Sequence, residues 1–78
     1  MTEIKDMVQF VAESLADKPE DVQVEESVGE AVIMIEIKVA SEDMGRLIGR
    51  QGRTINAIRS LARVLAAKME KKVSVEII

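Results

Sequence analysis

The residues of this 78-residue chain best suited to chemistry sit together in Ile48-Gly49-Arg50-Gln51-Gly52-Arg53-Thr54-Ile55. Two glycines enclose two polar residues, and aliphatics flank the set. Glycine permits a tight bend and lets a ligand reach the backbone without meeting a Cβ. The residues that follow read as the first turn of a helix, whose free N–H groups and dipole favour an anion. Arg50 and Arg53 add positive charge, and the flanking aliphatics tie the loop to a packed scaffold. A phosphate of a nucleic-acid backbone fits such a bend.

Little else in the chain offers chemistry. It contains neither His nor Cys, so the commonest general base, the thiolate nucleophile and the commonest metal ligands are all missing. No nucleophile–base pair can be assembled. We therefore expect no catalysis, no metal and no cofactor. Gly45, Gly49 and Gly52 fit neither a Walker A sequence nor a dinucleotide fingerprint, and Arg46 between Gly45 and Gly49 excludes a membrane helix-pairing motif. With one Phe and no Tyr or Trp, bases cannot be stacked on aromatic rings as many single-strand binders do.

Net charge is −3, which taken whole argues against a nucleic-acid partner, but the charge is unevenly placed. Residues 1–45 carry three Lys against twelve acids, a net −9, whereas residues 46–72 carry five Arg and three Lys against Glu70, a net +7. All five arginines (Arg46, Arg50, Arg53, Arg59 and Arg63) lie in that second segment, beside the glycine loop. The local field decides where an anion lands.

The elements that must position this segment are legible from periodicity. Ile4, Met7, Val8, Val11 and Leu15 fall at steps of three and four, predicting an amphipathic helix over about 3–16. Pro19, inside a polar break, forbids its simple continuation. Val22, Val24 and Val28 alternate with Gln23, Glu25 and Ser27 as on a half-buried strand, with Glu26 an exception. A short connection through Gly29 leads into residues 31–39, a strong strand signal that closes an antiparallel hairpin. Ala31, Ile33, Ile35, Ile37 and Val39 share one apolar face, which we place toward the helices. Ser41 is then expected to cap a short helix with Met44, Leu47 and Ile48 on its buried side, ended by Gly49. Ile55, Ile58, Ala62, Leu65 and Met69 mark a long amphipathic helix. Val73, Val75 and Ile77 mark a closing strand. The order α-β-β-α-α-β predicts one α+β domain over 1–78, a three-stranded sheet with its helices packed on one face. No apolar run approaches the roughly 18 residues of a membrane span and no signal-peptide pattern opens the chain, so we expect a cytoplasmic protein without membrane contact.

Leu47 to Ile55 resembles the signature of KH domains: aliphatic, Ile, Gly, two variable residues, Gly, two more, aliphatic. The extra helix and strand precede the β-α-loop-α-β core, as in the type II KH fold. Val39 to Thr54 is similar to the small bacterial single-domain KH proteins of the KhpA type. The resemblance implies an RNA-binding protein, a post-transcriptional regulator or RNA chaperone, whose loop 49–52 clamps about four nucleotides of single-stranded RNA. Gly49 and Gly52 would admit the sugar-phosphate chain, and Arg50, Gln51 and Arg53 would meet phosphates, with Arg46 and Thr54 beside them. Bases would lie on aliphatics, with Leu47 or Ile48, Ile55 and Ile58 from the helices and Ile35 or Ile37 from the strand as candidates. Arg59 and Arg63 would extend the basic lip or pair with acids of the first half. The resemblance also implies self-association, or pairing with a larger partner of the Jag/KhpB type. The outer strand residues Val32, Met34 and Ile78 are candidate docking surface.

Overall fold

The computed structural model describes residues 2–78. Its elements run α1 (Glu3–Leu15), β1 (Gln23–Val28), β2 (Val32–Lys38), α2 (Met44–Ile48), α3 (Arg53–Lys68) and β3 (Lys72–Ile77), with single 3-10 turns at Pro19–Asp21, Ser41–Asp43 and Arg50–Gly52. This is the expected α-β-β-α-α-β order.

Strand β2 lies at the centre of the sheet, antiparallel to β1 and parallel to β3. A parallel neighbour cannot be reached through a tight turn, so the chain must cross over, and α2, the glycine bend and α3 are that crossover. The bend is thus held at both ends by elements that pack on the same sheet. Ile33, Ile35 and Ile37 turn one face of β2 wholly toward the helices and are buried, together with Val24 and Val75 from its neighbours. Against them lie Ile4, Val8 and Ala12 of α1, Leu47 of α2, and Ile55, Ile58, Ala62 and Ala66 of α3. A one-residue slip of β2 would exchange its three isoleucines for Met34, Glu36 and Lys38, so burial sets the register.

The exception in the first strand has a cause. Glu26 pairs opposite Ile35 and so lies on the inner face, half-buried, where its carboxylate accepts the backbone N–H (3.3 Å) and hydroxyl of Thr2. Thr2 in turn caps α1, its hydroxyl oxygen accepting the Lys5 N–H at 3.2 Å. A carboxylate at a helix N-terminus also opposes the dipole favourably. One glutamate therefore fastens the start of α1 to β1.

Three local expectations need correction. Ser41 is not a helix cap: it lies within the 3-10 turn that precedes α2, and its side chain caps nothing. Ile48 is 39 % exposed rather than core, because a five-residue helix has room to bury one residue fully, and Leu47 takes that place. Met69 lies past the end of α3 and is exposed, while Ala66 occupies the last buried position of the helix.

Candidate nucleic-acid interface

The backbone of the bend explains its two glycines separately. Gly49 (φ 77°, ψ 171°) ends α2, its N–H donating to the Gly45 carbonyl at 2.9 Å. A Cβ at Gly49 would lie 2.7 Å from Thr54 Cβ and 2.8 Å from Thr54 N, and nearer still to the Thr54 hydroxyl. Thr54 therefore fills the space beside Gly49, and glycine is needed there by the fold itself. Gln51 (φ 58°, ψ 26°) and Gly52 (φ 75°, ψ 13°) are both left-handed, and the Gly52 N–H closes the turn on the Gly49 carbonyl at 3.1 Å. A Cβ on Gly52 would meet only Asn56 Nδ2 at an ordinary 3.6 Å. Gly52 satisfies its backbone angle and leaves its outer side open. Holding Gln51 left-handed costs about 1–2 kcal/mol, a local strain of the kind found at ligand clamps. Helix α3 starts at Arg53 without a side-chain cap; the Arg53 N–H is taken by the Arg50 carbonyl, and the positive dipole end of the helix lies at the bend.

The structure sorts the five arginines into two kinds. Arg46 is engaged by acids, with Nη2 2.9 Å from Asp17 Oδ2 and Nε 3.6 Å from Asp43 Oδ1. Arg59 is tied to the sheet: Nε donates to the Val75 carbonyl at 3.0 Å, Nη1 to Asn56 Oδ1 at 3.3 Å, and Nη2 lies 3.9 Å from Glu76. Its acidic neighbour is thus Glu76 of β3 and not an acid of the first half. Arg50, Arg53 and Arg63 are exposed and join no ion pair among the described residues. Two of these three flank the open side of the bend.

The expected aliphatic platform needs correction as well. Leu47, Ile58, Ile35 and Ile37 are core, and Ile55 is only 6 % exposed. Their spacing places them under the helices, where the sheet already covers them. Ile48 alone of that set presents its side chain outward.

Periodicity gave no hint of the part played by Asp43. It is the one fully buried charged side chain among the described residues. Its two oxygens accept the backbone N–H groups of Asp17 and Lys18, each at 3.0 Å, which ties the end of α1 to the start of α2. The Asp17 N–H foremost, then that of Lys18 and the Arg46 guanidinium, hold its carboxyl below the usual carboxylate range against burial that pushes it up. A depression of about 380 Å³ on the outer face of the sheet is lined by Glu25, Glu26, Ser27, Met34 and Glu36. Glu25 and Glu36, the two carboxylates of that lining on the outer face, make it repel phosphate.

A family model described as "KhpA/KhpB, KH domain" matches residues 5–77. The chain belongs to the KhpA/KhpB KH-domain family. The RNA-binding protein KhpA of Clostridium perfringens is 53% identical to it over 75 residues, which cover 96% of this chain and 100% of that protein. The RNA-binding protein KhpA of Clostridium acetobutylicum is 49% identical with the same coverage. Among solved structures, Era of Aquifex aeolicus bound to GDP and aluminium fluoride superposes with a TM-score of 0.64 over 96% of this chain at 21% identity. Era in complex with MgGDPNP and nucleotides 1506–1542 of 16S ribosomal RNA gives 0.65 with the same coverage and identity. This KH domain spans 30% of each Era chain, and the likeness is one of fold. The type II KH architecture implied by the helix and strand that precede the Gly-x-x-Gly core is the architecture found.

Proposed function

We propose that this chain binds single-stranded RNA at the bend 49–52, acting without catalysis as a post-transcriptional regulator or RNA chaperone in the cytoplasm. The observation that carries this reading is the open side of Gly52 at the uncapped start of α3, flanked by the unpaired Arg50 and Arg53. The names of the KhpA relatives as RNA-binding proteins support it. A phosphate seated there meets backbone N–H groups, two guanidiniums and the Gln51 amide, which donates without adding charge. Arg63 lies about 15 Å along α3 from Arg53, so it meets a phosphate further along the strand. Arg46, Thr54 and Arg59 shape the rim through Asp17, Gly49 and Val75, and Ile55 supports the bend from beneath.

Changing Arg50→Asp together with Gln51→Asp replaces attraction by repulsion at two exposed positions. Affinity for a labelled oligouridine should fall at least roughly tenfold, with an unchanged melting temperature. The parent, contacting about three phosphates, should show a log–log salt slope near −2 for a single strand. Parental affinity in the doubly substituted protein would refute the assignment of the bend.

A second role, as an association module, is favoured by one observation. Phe10, Leu61 and Val64 are 71, 52 and 63 % exposed on α1 and α3, which pack side by side. We propose that this apolar surface joins two copies, or one copy and a Jag/KhpB-type partner, and so links weak RNA sites into a bivalent one. It suits docking better than the outer strand residues Val32 and Met34, which the row of Glu25, Glu36 and Glu76 borders. Sedimentation should show a dimer that Leu61→Asp dissociates. A monomer at high protein concentration would count against self-association.

A further inference from the structure

The outer face of the sheet carries a row of carboxylates that the fold does not require. Glu25 pairs with Glu36 in the antiparallel ladder, and Glu36 with Glu76 in the parallel one. One exposed acid from each strand thus stands beside the next. Like charges directly opposite each other destabilise a sheet, and Glu25 and Glu36 join no ion pair among the described residues. Nothing inside the fold offsets this repulsion, so its use is to be sought in the field outside.

The row lies at the end of the sheet nearest the bend. Glu36 is two residues from the end of β2, after which the chain turns into α2, and Glu76 is one residue from the end of β3. Glu76 is 3.9 Å from Arg59 Nη2, and Arg59 lies about 9 Å along α3 from Arg53. Positive potential around the bend therefore gives way to negative potential across the width of one guanidinium. Neighbouring strands are about 4.8 Å apart and the screening length at physiological salt is about 8 Å. A phosphate above the sheet feels the carboxylates together, whereas one seated at the bend is largely screened from them. Resting on the RNA-binding reading above, we propose that Glu25, Glu36 and Glu76 end the RNA track. They stop a strand leaving the bend from passing round the end of the sheet, and so confine the domain to a short single-stranded site on its helical side.

The variant Glu25→Gln, Glu36→Gln tests this while leaving Glu76 beside Arg59. It should melt at or above the parental temperature, because repulsion is relieved. Affinity for an oligouridine of about four nucleotides, which fills only the bend, should stay within about twofold. Affinity for one of about 15 nucleotides should rise at least about threefold, with a log–log salt slope steeper by about 0.7 for each phosphate gained. Glu30→Gln, Glu70→Gln makes the same charge change at exposed acids outside the row and should keep parental values for both lengths. Parental binding of the longer strand by the row variant, an equal gain on both lengths, or an equal gain in the control overturns this inference alone. Should the row variant fail to fold, Glu36→Gln decides by the same comparison, with an expected gain of about twofold on the longer strand. The Arg50→Asp, Gln51→Asp protein is measured alongside, and retained binding there overturns the reading of the bend on which the inference rests.

Discussion

Replacing Gly49 by alanine forces an L residue into φ 77°, ψ 171°, a region open essentially to glycine alone and costing roughly 1–3 kcal/mol. The added methyl also lies 2.7 Å from Thr54 Cβ and 2.8 Å from Thr54 N, and overpacking of this kind adds about 1–3 kcal/mol. The backbone nitrogen cannot step aside without moving the first turn of α3, so both contributions apply and about 3–5 kcal/mol is expected. At Gly52 the left-handed angle alone is lost, at about 1–2 kcal/mol, because the new methyl has ordinary clearance. For a domain of this size 1 kcal/mol corresponds to roughly 4–8 °C in melting temperature. Gly49→Ala should therefore lower the midpoint by at least about 12 °C, and Gly52→Ala by about 5–10 °C. Thermal and urea unfolding followed by far-UV circular dichroism measure both. Thr54→Gly removes part of the obstruction, so the Gly49→Ala, Thr54→Gly protein should be more stable than the two single losses predict by about 1 kcal/mol. Equal losses at the two glycines, or strict additivity with Thr54, would refute the division of labour between them.

The remaining predictions concern the charges. Asp43→Ala leaves the Asp17 and Lys18 N–H groups without their acceptor and should lower the melting temperature by roughly 10 °C. Because the folded carboxyl titrates below its usual value, its contribution is present above the ordinary carboxylate range and disappears as pH falls through the lowered pKa. Acid titration of parental stability should steepen below about pH 4, and Asp43→Asn should flatten that fall. Arg63→Ala should weaken RNA binding about threefold with little change in stability, as expected for a single phosphate contact. Arg59→Ala should instead lower stability by about 1 kcal/mol and leave affinity within about twofold, because its guanidinium is already occupied by β3. Equal affinities for the Arg63 and Arg59 variants would contradict the sorting of the arginines.

The fold was legible in the sequence wherever burial imposes a period. The uninterrupted aliphatic row Ile33-Ile35-Ile37 admits one register. The steps through Ile4, Val8 and Ala12, and through Ile55, Ile58 and Ala62, place two helices over it. The bend was legible too, since glycine spacing reports backbone angles directly. Periodicity fails at α2, which is too short for a repeat to identify its inner face, so the pattern alone points Ile48 inward and makes Ser41 look like a cap. It also failed at charges, whose partners lie far along the chain. Asp43 resembles a surface acid until Asp17, 26 residues away, appears against it, and Glu26 spoils its strand pattern until Thr2 does the same. The five arginines look alike as residue types and differ only in what stands opposite them.

Titration of isotope-labelled protein with a short oligoribonucleotide, read at the backbone amides, tests the central claim most directly. Amides 49–54 should shift first and most, while those of Glu25, Met34 and Glu36 on the outer sheet face stay in place. Movement of the outer-face amides with residues 49–54 unperturbed would contradict the account.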